Sequence, residues 1–290
     1  MAEFLQLLFA GLTVGAVYAL VALGFTLIFQ ASEVVNFAQG EFVMLGGMVT
    51  VFAFKAGVPL PLAALLAVLV AVAVGLSLHR FAIEPAKGAT VVTLIIVTIG
   101  ASIFIRGIAQ IVFDKQFHAL PAFSGDEPLR LLGAAILPQS LWVLGGAALV
   151  VVGLRLFMER TLFGAAVRAT AANRLAAELV GIDTRRVLAF AFGVSAAIGA
   201  LGGILVTPVT LTSYAVGTLL ALKGFAAAML GGIGNPVGAV LGGVLLGLLE
   251  SFAAGWISST YKDAVAFVVI LLVLFALPQG LLGRRAIERV

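Results

Sequence analysis

Cysteine is missing from all 290 residues, so the chain has no disulfide framework and no thiolate chemistry. Histidine occurs twice, at His79 and His118, far apart and outside any HExxH arrangement, which gives no metal site. The Gly-rich runs contain no GxxxxGK[ST], so the chain cannot cradle a nucleotide by a P-loop, and no GxSxG is present. Enzyme activity resident in this chain therefore has no support. Charge is also scarce: 10% of residues are charged against 62% hydrophobic, with a mean hydropathy of +1.22. A soluble fold of this size needs a far more polar surface.

What is present is a succession of long apolar segments. Their lengths suit a bilayer whose core takes about 20 residues of helix. The segments are Leu7–Phe29, Phe37–Phe54, Leu62–Leu78, Val91–Phe113, Leu137–Phe157, Val187–Val206, Leu219–Leu230, Val237–Phe252 and Ala264–Leu277. The reading is an all-α polytopic integral membrane protein with eight to nine hydrophobic segments, residues 1–290 forming a single transmembrane domain. The short, glycine-bounded Leu219–Leu230 fits a tilted span, a broken helix or a re-entrant segment. The opening residues lack a basic n-region, so the first segment reads as a retained helix rather than a cleaved signal.

Charge bias orients the segments. The loop 79–88 has Arg80 and Lys87 against Glu84 (2 − 1 = +1), and the tail 279–290 has three arginines against Glu288 (3 − 1 = +2). Residues 155–186 carry six arginines against Glu159, Glu178 and Asp183 (6 − 3 = +3). The loop Asp114–Arg130 has Lys115 and Arg130 against Asp114, Asp126 and Glu127 (2 − 3 = −1). The positive-inside rule places the first three in the cytoplasm and the last outside, with the N-terminus outside if Leu219–Leu230 crosses. The pI of about 9.8 is thereby a topological signal at the lipid bilayer, not a nucleic-acid one.

Three places carry polar residues that the bilayer makes costly. In NFAQGEF, Glu41 falls near a helix start, where free amides and the dipole favour a carboxylate, and Asn36 is placed to cap it. Glu41 is either interfacial or paired inside the bundle. In LKGFAAAMLGGIGNPVGAVLGGVLLGLLE, Gly231, Gly232, Gly234, Gly238 and Gly242 form small-residue faces, and the GIGNPVG stretch with Asn235 interrupts the helix. Such a break serves packing or lines a path. Lys223 and Glu250 bracket this run as isolated ionisable residues. Lys223 and Arg106 are expected to snorkel to an interface, with Glu250 near an aqueous face. Gly199, Gly202 and Gly203 add a tight face in the sixth segment, with Pro208 as its terminator.

The third place is the basic island, where Thr170–Gly181 (TAANRLAAELVG) has short-helix composition. Gly181 reads as its terminator and Asp183 as the cap of the next helix. Such a short helix lies on the membrane surface or fills a groove on a soluble partner.

These residues resemble a known family. GLTVGAVYALVALGFTLIFQASEVVNFAQGE (Gly11–Glu41) is similar to the opening of the branched-chain amino acid ABC-importer permeases. NRLAAELVGIDTRRV is similar to their cytoplasmic loop, and GFAAAMLGGIGNPVGAVLGGVLLGLLE and PQGLLG to their closing part. The chain departs at Gln39, where members often have His, and from the full coupling signature, of which Ala176, Ala177 and Gly181 match. The resemblance implies an ABC importer permease fold with broken or short helices, in the bacterial inner membrane, importing leucine, isoleucine or valine. It implies four partners: a second homologous permease, two ATP-binding cassette ATPase subunits that hold ATP and Mg, and a periplasmic substrate-binding protein. On it, 155–186 is the cytoplasmic coupling loop, and Arg174, Leu175, Ala176, Ala177, Glu178 and Gly181 contact the ATPase. Permeases for urea or short amides look similar in the same segments, and a secondary transporter is a further alternative.

Overall fold

The computed structural model describes residues 2–283 apart from 87, 126 and 132. Lys87, Asp126 and the charged residues of the tail, Arg284, Arg285, Glu288 and Arg289, on which part of the charge reading rests, lie outside the described residues.

The chain folds into α1 (Ala2–Ser32), α2 (Gln39–Lys55), α3 (Leu60–Leu78) with a π-helical turn His79–Ile83, α4 (Val91–Phe113), α5 (Pro138–Arg160), α6 (Leu162–Ala172), α7 (Arg174–Leu179), α8 (Thr184–Thr210), α9 (Val216–Gly231), α10 (Pro236–Trp256) and α11 (Lys262–Ala276). A small antiparallel hairpin, β1 (Leu129–Leu131) and β2 (Ala134–Ile136), interrupts the otherwise helical fold between α4 and α5, which an all-α reading did not foresee.

Among the described residues, six helices are long and apolar enough to cross a membrane: α1, α3 with its π-helical turn, α4, α5, α8 and α10. The remaining expected segments appear as α2, α9 and α11, of 17, 16 and 15 residues. The expectation of eight to nine segments is thus supported only to six by length. At 1.5 Å per residue the three short helices fall below a bilayer core of about 30 Å. α9 nevertheless links the two ends of the bundle. On one side, Thr212 before it pairs with His118 after α4. On the other, the turn after it takes a hydrogen bond from Gln30 near the end of α1, Nε2 to Gly234 O at 2.7 Å.

Capping sets the boundaries. Pro138 and Pro236 occupy the first turns of α5 and α10, where no amide partner is lost. Thr90, Thr161, Asn173, Asp183 and Asn235 each accept a hydrogen bond from an amide of the helix they precede. Pro208 does not terminate α8 as expected. The helix runs through it to Thr210 and stops at Leu211, whose φ is +63°. A proline one turn from a helix end loses a single bond there, and the last turn survives.

α1 and α8 form the centre, with 83% and 72% of their apolar windows buried, while α4 and α5 have only 11%. Ile96, Phe104 and Ile111 on α4 and Leu149 on α5 are exposed, as a lipid-facing belt requires. Glycines draw the central helices together: a side-chain carbon at Gly15 would stand 2.9 Å from the Cα of Val244, and one at Gly46 would meet the backbone of Ala200 at 2.5 Å. Where lipid is as apolar as the helices, such close backbone packing replaces the hydrophobic drive between them.

Candidate functional site

The first polar set lies deep in the bundle, where the chain leaves α1 and enters α2. Residues 33–38 are not helical, and Asn36 and Ala38 are completely buried. Unwound backbone at this depth is tolerated only inside protein. Thr98 of α4 supports it, its Oγ1 accepting from Phe37 N at 3.2 Å and donating to Ile95 O at 2.9 Å. α2 therefore begins inside the bundle. Asn36 does not cap its amides as expected; its Oδ1 accepts from Ala38 N at 3.1 Å, two residues on, because the N-cap is Ala38.

The first turn of α2 is held by side chains of α4 and α8, with α1 packed against it. Gln39 is wholly buried, its Nε2 donating to Ser195 O at 3.2 Å, with Ser195 Oγ 2.5 Å from its Oε1 and 2.9 Å from Gly24 O. A side chain at Gly24 would overlap the Gln39 amide, so the two residues require one another. Glu41 is 1% exposed and accepts from Ser102 Oγ at 2.7 Å. Of the two open readings, the interior one holds. Arg106, one turn further along α4, is half-buried, and its Nη1 donates to Thr218 Oγ1 of α9. Thr98, Ser102 and Arg106 recur every four residues, and that spacing is the signal in the sequence that marks one polar stripe on an otherwise lipid-facing helix.

The second set corrects the picture of Lys223 and Glu250 as isolated or interfacial. Lys223 of α9 and Glu250 of α10 are buried against each other, Nζ lying 2.9 Å from Oε1 and 3.0 Å from Oε2. Tyr18 OH of α1 donates to Glu250 Oε2 at 2.7 Å, and Nζ reaches Asp263 Oδ1 of α11 at 2.9 Å. Four helices are joined at one ammonium. A buried charge persists in such a place only when paired and hydrogen-bonded. Tyr18 and Asp263 carry no local sequence signal, since each partner comes from a different helix.

The glycine-rich turn forms a third set. Gly231 and Gly238 pack backbone to backbone between α9 and α10, and Gly242 meets the amide of Gly231. Gly232 and Gly234 have φ of +102° and +85°, which breaks the helix there. Asn235 Oδ1 caps Val237 N and Gly238 N, each at 3.1 Å, and its Nδ2 donates to Leu282 O at 2.9 Å. The expected path residues thus fall into separate hydrogen-bonded sets: Asn36 and Glu41, the glycine turn, and Glu250.

The basic island is not one helix over Thr170–Gly181. It is two, α6 and α7, because Asn173 is extended (φ −160°) and caps α7 by accepting from Ala176 N at 2.9 Å. Gly181, with φ +87°, ends α7, and Asp183 accepts from Arg186 N at 3.1 Å to start α8. Ala177 is buried, while Leu175, Leu179 and Val180 are 69%, 81% and 77% exposed. Glu178 accepts from Thr184 Oγ1 at 2.6 Å and pairs with Arg174 at 3.4 Å, fastening α7 to α8. Arg185 pairs with Glu84, whose carboxyl the hydrogen-bonded Arg80, with Arg185 beside it, holds below the usual range. The result is a rigidly held turn presenting an apolar knob on a basic surface.

The family described as branched-chain amino acid transport system / permease component matches residues 7–274. The high-affinity branched-chain amino acid transport system permease protein BraD of Pseudomonas aeruginosa is 35% identical, over 99% of this chain and 98% of its own. The permease protein LivH of the corresponding Escherichia coli K12 system is 34% identical over the same shares. A probable branched-chain amino acid transport permease of Methanocaldococcus jannaschii is 28% identical, over 91% of this chain and 88% of its own.

Proposed function

The chain belongs to the branched-chain amino acid transport permease family, and from that premise we propose that it is the membrane-spanning permease subunit of an ATP-driven importer of leucine, isoleucine and valine. It sits in the bacterial inner membrane, passing substrate from a periplasmic binding protein to the cytoplasm. A second homologous permease completes the path. Two ATPase subunits, which bind ATP and Mg, power it from below.

The observation that carries this reading is the pairing of a nearly full-length family match with the knob of α7. An exposed cluster of Leu175, Leu179 and Val180 on a segment whose caps and ion pairs leave it little freedom is a surface made for a partner. Within 155–186, Arg174, Leu175, Ala176, Ala177, Glu178 and Gly181 form the coupling contact. Motion of the ATPases is transmitted through the Glu178–Thr184 bond to α8, which runs through the centre of the bundle. Coupling of this kind is a two-state rearrangement biased from both ends.

The test is purification from native membranes followed by uptake in proteoliposomes. Two ATPase subunits and a second permease should accompany the chain, and labelled leucine should enter only with ATP and the binding protein. Leucine uptake that persists without ATP, or uptake of urea in place of leucine, would overturn the assignment.

A further inference from the structure

The mid-membrane set around Glu41 contains valences that its packing leaves open. Ser102 fills Glu41 Oε1, whereas Oε2 accepts no hydrogen bond among the described residues, although the side chain is 1% exposed. A side-chain carbon at Gly217 would stand 2.7 Å from Oε2, so the free oxygen faces the first turn of α9 across a contact that only glycine allows. Asn36 Nδ2, equally buried, is likewise unfilled. A buried polar group left unpaired costs on the order of 1–3 kcal/mol, and more when charged. Two such groups beside an unwound segment in the membrane interior call for a ligand rather than for packing.

Arg106 reaches the same turn of α9, because its partner Thr218 directly follows Gly217. It is bonded through Nη1 to Thr218, and among the described residues its other guanidinium N–H groups make no hydrogen bond. Among the described residues the two do not meet within salt-bridge distance. A carboxylate with a free oxygen and a guanidinium with free donors, held apart on α2 and α4, match a molecule carrying an ammonium and a carboxylate on neighbouring atoms. An apolar groove of about 580 Å³ opens on the adjoining face of α4, against α3, and Glu41, Ser102 and Arg106 are not among its lining residues. Its wall includes Leu45, one helical turn from Glu41, and Ala101 and Ile105, which flank Ser102 and Arg106 in sequence.

We propose that Glu41 and Arg106 form the membrane-embedded recognition site for an aliphatic α-amino acid zwitterion in transit: Glu41 Oε2 accepts from the ammonium, Arg106 donates to the carboxylate, and the side chain lies against Leu45 and Ile105. Ser102 is a positioning residue that fixes the Glu41 rotamer. The proposal rests on the importer reading above and deepens it. The structure shows the site closed, with Gly40 packed on Gly217. Its wall is α4, one of the two least buried of the long helices, which reaches α2 and α9 through the polar bonds of Thr98, Ser102 and Arg106. A zwitterion can replace those bonds one for one as α4 moves. Exchange of this kind gives binding strong enough to admit substrate and weak enough to release it.

The test uses the whole complex from native membranes, reconstituted with its binding protein, and reads leucine imported per ATP hydrolysed. Glu41→Gln keeps the shape and an acceptor for Ser102 but removes the charge. The ratio should fall about tenfold or more, the value of one charge-assisted hydrogen bond, with partial recovery in Glu41→Asp. An unchanged ratio overturns the site. A merely structural role would lower uptake and hydrolysis together and leave the ratio intact, which also overturns it. Should Glu41→Gln fail to assemble, Ser102→Cys provides the only thiol in this chain. Leucine added during turnover should protect it from a methanethiosulfonate reagent, and equal labelling with and without leucine overturns the proposal. Absence of ATP-dependent leucine uptake by the unmodified complex would count against the importer reading itself, so the two failures are distinguishable.

Discussion

Lys223 is where a single side chain holds most at stake. It meets Glu250, Asp263 and the Tyr18 hydroxyl at once, and both Lys223 and Glu250 are about 5% exposed. Breaking a buried pair from one side strands a charge and costs about 3–5 kcal/mol, whereas replacing both partners by apolar groups of similar size can be neutral. Lys223→Met should therefore lower the thermal stability of the detergent-purified complex sharply, and Lys223→Met with Glu250→Leu should be markedly less damaging. Additive losses in the double variant would show that the pair is not the unit. The sequence displayed Lys223 and Glu250 as polar interruptions in an apolar run, and so marked them as costly. It could not display the pairing, because the partners lie 27, 40 and 205 positions away on separate helices. Glu41 was legible as a helix-start acid for a local reason. Its bond to Ser102 was not, since α4 has to be docked before the two meet.

At the scale of elements, the coupling segment turns on where α7 begins and ends. TAANRLAAELVG reads as one helix by composition alone, yet Asn173 divides it, because an Asn at that position satisfies the next helix better as a cap than as an interior residue. Gly181 and Asp183 were legible as terminator and cap, since φ > 0 and side-chain capping are properties of single residues. A side-chain carbon at Gly181 meets nothing within 4 Å, so Gly181→Val is opposed by backbone strain alone, on the order of 1–2 kcal/mol. That is enough to misdirect α7 without unfolding the bundle, and ATP-driven uptake should be lost while the chain still inserts. Leu179→Ser is the cleaner probe. The side chain is 81% exposed, so the fold should be unaffected within about 0.5 kcal/mol, while co-purification of the ATPase subunits should weaken. Full recovery of the ATPases with this variant would remove the knob from the coupling contact.

For the molecule as a whole, the question is which faces meet protein and which meet lipid. Composition established a membrane bundle but not this arrangement, because helices that are apolar all round carry no amphipathic stripe to orient them. Length was the better guide. It marked Leu219–Leu230 as irregular, and α9 is indeed among the short helices. Glycine spacing carried part of the remaining information, as at Gly238 and Gly242, which pack on the backbone of α9, whereas Gly234 lies in the turn before α10; the glycines of α4 look the same in sequence and are bare in the fold. That contrast yields a paired prediction. A side chain at Gly238 would collide with the backbone of Gly231, which cannot move without separating α9 from α10, whereas one at Gly100 on α4 meets nothing within 4 Å. Overpacking of a tight seam costs about 1–3 kcal/mol and often more where backbone is the obstacle. Gly238→Leu should therefore reduce the yield and thermal stability of the assembled complex, and Gly100→Leu should leave both unchanged if that face meets only lipid. Loss of assembly in Gly100→Leu with the isolated chain still folded would instead mark this face of α4 as the seam to the second permease. The moving wall proposed for the amino acid site would then lie between the two permeases rather than against the bilayer.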